Sequence, residues 1–264
     1  MSFSGWLTYK VSRLENVWFK LLLIKVFIWL YGIDTEDLLE KNLKNYTCFN
    51  DFFIRKLNPP ARPINNDSNT LVSPSDGTIT EYGSITDGKL IQAKGFDYNL
   101  IDLLGKNTPY ANDGLDLFLT IYLSPYNYHR VHMPFDGEVL GAQYIPGANF
   151  SVSPRTLNKV TEVFSRNERL VIWLKSSFGI TPLVMVGALN VASLSTYWHS
   201  EIKSNKEIYI EAPLDDSIKK KGAELGCFNL GSTVILLLPS TKVRLSVPST
   251  RSVLMGNTIA TNNP

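Results

Sequence analysis

The chain has 264 residues, 44% hydrophobic and 19% charged, which suits one large globular domain, with or without an appended segment, and excludes a disordered chain. Its 26 basic and 24 acidic residues leave a net charge of +2, so bulk electrostatics points away from a nucleic-acid partner. The two cysteines, Cys48 and Cys227, form no C-x-x-C pair and no disulfide framework, as expected of a reducing compartment.

No short apolar core with a small-residue cleavage site opens the chain, so no secretory signal is expected. From Val17 to Tyr31 the sequence VWFKLLLIKVFIWLY is apolar apart from Lys20 and Lys25. That is too short and too interrupted to span a bilayer as a helix. On a helix, Arg13, Asn16 and Lys20 share one face, while Trp18, Leu21, Leu22, Phe27, Trp29 and Leu30 populate the rest; Lys25 falls off the polar side. Tryptophans and snorkelling lysines suit a headgroup boundary, so the expectation is a monotopic, membrane-facing helix. Burial against the body of the protein or a partner subunit is the alternative.

A second helix is expected over Thr35–Asn42, with Thr35 as N-cap, and a third over Phe49–Leu57, stopped by Asn58-Pro59-Pro60. From about Leu71 the period changes to short β-rich segments between Gly, Pro, Asn and Asp turns. Candidate strands are Thr78–Tyr82, Leu117–Leu123, Gly137–Tyr144, Leu170–Lys175, Thr181–Leu194, Thr233–Leu238 and Lys242–Val247, with a turn at Arg166–Arg169. No helical crossovers separate them. The fold class is therefore α+β: an N-terminal helical segment, 1–64, followed by a mostly antiparallel, sandwich-like β domain, 65–264. Lys219-Lys220-Lys221 reads as a solvated loop, with a headgroup-attracting patch as the sharper alternative.

Three places carry potential chemistry. Ser73-Pro74-Ser75-Asp76-Gly77 sets an acid in a turn before a strand. Tyr128-His129-Arg130-Val131-His132-Met133-Pro134 holds two of the three histidines at i, i+3. Gly231-Ser232 puts a hydroxyl at the entrance of the apolar run Val234–Leu238. Asp76, His132 and Ser232 supply the acid, base and nucleophile types that activate a hydroxyl. With His199 the only other histidine and no cysteine at ligand spacing, no metal is expected.

Six ordered blocks go further: Phe52-Phe53-Ile54-Arg55-Lys56-Leu57 with Ala61-Arg62-Pro63-Ile64, Ser73–Gly77, Tyr128–Pro134, Phe164–Arg169, Val186-Gly187-Ala188 and Leu230-Gly231-Ser232-Thr233. From about Phe49 onward the chain resembles the bacterial, short-form phosphatidylserine decarboxylase proenzymes. The resemblance implies that Ser232 attacks the Gly231 carbonyl and that β-elimination cuts the chain there. The products would be a β chain of residues 1–231 and an α chain from 232 to 264, blocked by a pyruvoyl group. It assigns Asp76 and His132 to that step and His129 to proton donation in the later reaction.

The pyruvoyl ketone, with no metal or pyridoxal phosphate, would then be the electron sink that converts phosphatidylserine to phosphatidylethanolamine and carbon dioxide. This implies a zymogen of phospholipid biosynthesis, peripheral on the cytoplasmic face of the cell membrane, with its two chains staying associated and a homodimer of αβ units left open. Arg55, Arg62 and Arg130 are candidate phosphate partners. Two other readings stay open: a pyruvoyl decarboxylase of a soluble amino acid, and a non-catalytic, membrane-associated, lipid-binding β-domain.

Overall fold

The computed structural model describes residues 3–93, 95–110, 114–188, 193–229 and 232–263, without the side chains of residues 3–6 and 232. The N-terminal segment forms α1 (Phe3–Ser12), α2 (Val17–Tyr31) and α3 (Phe49–Phe53), and the short helices α4 (Leu100–Leu104), α5 (Pro154–Leu157) and α6 (Val163–Arg166) interrupt the region that follows. The strands of its first half are β1 (Thr70–Val72), β2 (Gly77–Ser84), β3 (Lys89–Ala93), β4 (Phe96–Asn99), β5 (Leu117–Leu123), β6 (Arg130–His132) and β7 (Gly137–Ile145). Next come β8 (Arg169–Ser176), β9 (Gly179–Val186), β10 (Ser193–Thr196), β11 (Ile208–Glu211), β12 (Ile218–Lys219) and β13 (Glu224–Asn229). The last four are β14 (Ser232–Leu238), β15 (Val243–Leu245), β16 (Ser252–Val253) and β17 (Thr258–Asn262).

Among the described residues every pairing between these strands is antiparallel, which bears out the α+β reading with sandwich-like sheets. The large sheet runs β11-β7-β8-β9-β14-β5-β2-β16, with β12 also on β7. Smaller sheets are β1-β17-β15, β10-β13-β6 and the hairpin β3-β4. The apolar run after Ser232 lies between β5 and β9, and Val234, Ile235, Leu236, Leu237 and Leu238 are all fully buried. A strand covered on both faces needs an apolar residue at every position, which is why this one shows no alternation. The expected strand Thr181–Leu194 is two strands, β9 and β10, with residues 189–192 outside the described residues.

The helical segment departs from expectation in three ways. α2 has the expected span: Asn16 Oδ1 accepts from Phe19 N–H at 3.1 Å, and Gly32, at φ 61°, closes it. One residue of its expected polar face, Lys20, turns inward. Lys20 is buried, its ammonium donating to the carbonyls of Lys44 (3.2 Å), Tyr46 and Thr47, while Trp18 and Trp29 are 84% and 81% exposed. The loop at 44–47 turns several carbonyl oxygens toward α2, and a lysine, with three donors, is the side chain able to satisfy them at once.

The expected helix Thr35–Asn42 does not form. Asp34 Oδ1 takes the Glu36 N–H at 2.8 Å, and Leu38 pairs with Leu57 in an isolated bridge, so local side-chain and cross-chain bonds replace the helical ladder. The third helix stops at Phe53, because that same bridge holds Leu57 extended and the Arg55 guanidinium donates to Phe53 O and Tyr126 O. The expected turn at Arg166–Arg169 is the end of α6 and the start of β8.

Candidate active site

β5 sets the geometry. Its Tyr122 pairs with Thr78 of β2 on one side and Thr233 of β14 on the other, and Leu123 pairs with Ser232. The Asp76 turn and position 232 therefore enter at the same end of the sheet, flanking β5 at roughly 10 Å, two strand spacings. Gly77 makes the approach possible, since a Cβ there would lie 2.5 Å from the Tyr122 carbonyl oxygen. Gly231 and the side chain of Ser232 lie outside what the structure describes.

Asp76 is 2% exposed. Its Oδ1 accepts from Met255 N–H (2.9 Å) and Arg62 Nε (2.9 Å), and its Oδ2 from Arg62 Nη2 (2.7 Å). Arg62 also reaches Asp37 at 3.2 Å. Burial works against the charge on Arg62, but its bonds to Asp76 and Asp37 more than offset that and raise its pKa.

His132 follows in β6, where its N–H bonds Pro74 O at 2.8 Å and ties the two motifs together. Its imidazole is buried, with Nδ1 2.8 Å from Gly222 O and Nε2 3.0 Å from the Tyr128 hydroxyl. Gly222, at φ 82°, takes the left-handed conformation that aims its carbonyl at the ring. Burial lowers the His132 pKa, so the ring is neutral near pH 7. The group that orients this imidazole is thus a backbone carbonyl, while the Asp76 carboxylate is engaged by Arg62.

His129 is fully buried and stacked on Phe53, centroids 4.1 Å apart at 25°. Its Nε2 lies 3.3 Å from Pro125 O. Burial, then the nearby Arg55 guanidinium, push its pKa down to about 3. The two rings of the i, i+3 pair thus pack differently, His129 on Phe53 of α3 and His132 on Tyr128 and Gly222 O.

Several site residues carried no sequence signal. Asn229 Nδ2 donates to Ser193 Oγ (3.0 Å), and Asn229 Oδ1 accepts from Asn50 Nδ2 (2.9 Å), fixing the strand just ahead of 230–231 to α3. Gly222 acts through its backbone, which no residue type announces. Tyr128 sits four residues before His132 in a motif already singled out, so its spacing was the available clue. Of the candidate phosphate partners, Arg55 is bonded to Tyr126 O at 2.9 Å and Arg62 to Asp76. Arg130 donates to Ile54 O at 2.8 Å and to Glu224. Cys227 is buried, its Sγ 3.0 Å from Ser195 Oγ, and burial raises its pKa, the condition of an inert thiol. Among the described residues no three His, Cys, Asp or Glu side chains cluster as a metal site.

Comparison with known proteins places these residues in a wider set. The family model described as phosphatidylserine decarboxylase matches residues 49–261. A phosphatidylserine decarboxylase proenzyme of Legionella pneumophila is 45% identical over 233 residues, 86% of this chain and 80% of that protein. The proenzyme of Francisella philomiragia is 41% identical over 247 residues, covering 92% and 87% of the two chains. That of Bordetella avium is 41% identical over 258 residues, covering 95% and 86%. With the Asp76 turn and the start of β14 flanking β5 at one end of the sheet, His132 tied to that turn through Pro74, and identity at this level over nearly its whole length, the chain belongs to the phosphatidylserine decarboxylase family.

Proposed function

We propose that the protein is a self-processing, pyruvoyl-dependent decarboxylase that converts phosphatidylserine to phosphatidylethanolamine at a membrane surface. The observation that carries this reading is the junction at β5, where the strand that begins at Ser232 and the strand preceded by Asp76 share Tyr122 as pairing partner. His132 is tied to the same turn through Pro74.

Ser232 Oγ is the nucleophile toward the Gly231 carbonyl carbon, and neutral His132 is the base that takes its proton. Asp76 fixes the turn and supplies negative charge near the imidazolium that results. Gly222 O holds the Nδ1 proton throughout. The surroundings fit a protein-derived pyruvoyl group at position 232. Thr233, next in the chain, and Ser75, beside Asp76, are both buried with hydroxyls that lack a partner among the described residues. That group supplies an electrophilic carbonyl able to accept the electrons of the scissile carbon–carboxylate bond. His129 is the proton carrier of the second reaction, held ready as a neutral imidazole.

Residues 1–64 form the membrane-facing segment and 65–264 the catalytic domain in this reading. No helix among the described residues is long and apolar enough to cross a bilayer. α2 turns Trp18, Leu22, Val26 and Trp29 outward with Lys25 beside them, a face suited to lie in the headgroup region of the cytoplasmic leaflet.

Intact-mass measurement of the purified protein tests the reading. Two fragments are expected, split after Gly231, the smaller one lighter by one ammonia than a peptide beginning with serine. Ser232→Ala should give one full-length chain. A single wild-type chain under conditions permitting cleavage sinks the proposal.

A further inference from the structure

Two arginines cross over beside His129. Arg55, just past α3, donates from Nη2 to the carbonyls of Tyr126 (2.9 Å) and Asn127 (3.4 Å), and from Nη1 to Phe53 O at 3.3 Å. Arg130 reaches the other way, its Nε donating to Ile54 O at 2.8 Å. Each guanidinium thus binds the backbone of the segment that carries the other. Ile54, Arg55 and Arg130 line one cavity of about 270 Å³.

The same two segments grip the imidazole. Phe53 covers its face, with centroids 4.1 Å apart, and Pro125 O meets its Nε2 edge at 3.3 Å. Arg55 bonds the carbonyl of Phe53 itself and those of the two residues after Pro125, so one planar fork fixes both walls of the ring's slot. The two arginines differ in charge balance. Arg130 is paired with Glu224, whereas Arg55, 4% exposed, has no carboxylate partner among the described residues. Burial lowers its pKa to about 10, which leaves it charged at pH 7. A buried cation without a counter-ion costs stability, and a neutral side chain would serve the fold better. Its charge does bear on one neighbour: together with burial it keeps the His129 ring neutral.

We propose that Arg55 and Arg130 form a reciprocal clasp that positions His129 for decarboxylation, with Arg55 as the member that fixes the ring. The inference rests on the reading of His129 as the proton carrier of the second reaction. Both arginines are positioning residues that act through the imidazole, and their guanidiniums are spent on backbone carbonyls rather than on a lipid phosphate.

Arg55→Gln and Arg55→Lys test this in the processed enzyme, assayed on phosphatidylserine in detergent micelles with turnover counted per cleaved chain. Arg55→Gln should still self-cleave, because the bonds shown for the His132 ring run to Tyr128 and Gly222. Its kcat should fall at least about tenfold while KM stays within about twofold of wild type. A loss of folded protein alone would lower the yield and leave kcat per cleaved chain unchanged. Arg55→Lys keeps the charge but cannot span the carbonyls of both segments, so its kcat should stay low as well. A KM that rises with kcat unchanged makes Arg55 a phosphate-binding group and overturns the clasp. An unchanged kcat in Arg55→Gln, full turnover in Arg55→Lys, or a folded Arg55→Gln chain that does not self-cleave overturns it too. If Arg55→Gln fails to fold by circular dichroism, Arg55→Lys decides. Should neither fold, the wild type decides: the His129 ring signal, assigned by its absence in His129→Gln, should not titrate between about pH 5 and 8, and a midpoint near 6.5 overturns the clasp. His129→Ala is the separate check. Normal turnover there defeats the role given to His129, whereas a slow His129→Ala beside an unaltered Arg55→Gln defeats only the clasp.

Discussion

The imidazole of His129 sits in the protein interior between Phe53 and the chain around Pro125, with its pKa held at about 3 by burial and by Arg55. In the unfolded chain the same group titrates near 6.5, so between these values the unfolded state binds a proton that the folded state does not. The neutral burial therefore contributes fully above about pH 6.5 and is progressively lost as pH falls toward 3. The slope is about 1.4 kcal/mol per pH unit for one proton. Urea unfolding of the Ser232→Ala single chain at pH 7, 6 and 5 should show this slope, and His129→Gln should remove about one proton's worth of it. Equal slopes in the two proteins contradict the burial argument. His129→Ala should still self-cleave, because the bonds shown for the His132 ring run to Tyr128 and Gly222, but should decarboxylate poorly.

Asp76 makes a second residue-scale case. It meets Arg62 through both carboxylate oxygens in a site with almost no solvent, and removing one member of such a pair strands the other's charge. Asp76→Asn is expected to cost roughly 3 kcal/mol in the urea midpoint analysis and to stop cleavage. That the Asp76 turn, His132 and the start of β14 are linked was legible as a set of short motifs among turn residues. Their wiring was not. An orienting carbonyl such as Gly222 O leaves no trace in residue type, and Arg62 is one of many arginines until the turn closes on it.

At the scale of the element, α2 shows why a correct span can carry a misplaced lysine. The stretch Val17–Tyr31 was readable from apolar content, but helical periodicity assigns charged letters to solvent by default. Lys20 points inward because three loop carbonyls wait there, and Phe27 fills the adjoining space against Phe49, Phe52 and Phe53. Trp18 and Trp29 stay exposed on the other side of the helix, as a lipid-facing surface requires. Trp18→Ser with Trp29→Ser should lower binding to anionic phosphatidylserine vesicles at least tenfold in a flotation assay, since burying each indole is worth about 2 kcal/mol. Self-cleavage should be untouched, because neither tryptophan contacts the site. Retained vesicle binding would remove α2 from the membrane-facing role. Lys20→Met, by contrast, should leave binding intact and destabilise the helical segment.

For the molecule as a whole, the alternation of short strands and turns made the antiparallel β class readable, while the strand order depended on pairings between distant segments. The short strands β6, β13 and β17 escaped notice because three to six residues give too little pattern to detect, and their identity comes from partners far away in sequence. That non-local pairing determines what happens after cleavage. The fragment beginning at Ser232 places β14 between β5 and β9, β17 between β1 and β15, and β16 on β2, so it is woven into two sheets. Its five fully buried residues Val234–Leu238 alone contribute on the order of 10 kcal/mol of apolar burial, comparable to the cost of holding two chains together. The cut chains are thus expected to co-elute as one particle in size-exclusion chromatography without denaturant. They should separate only when urea unfolds the large sheet, at a midpoint that rises with protein concentration because dissociation accompanies unfolding. The uncleaved Ser232→Ala chain, unfolding as one molecule, should show a midpoint independent of concentration. Release of the small fragment under native conditions would mean that β14 is not the anchor its position in the sheet makes it.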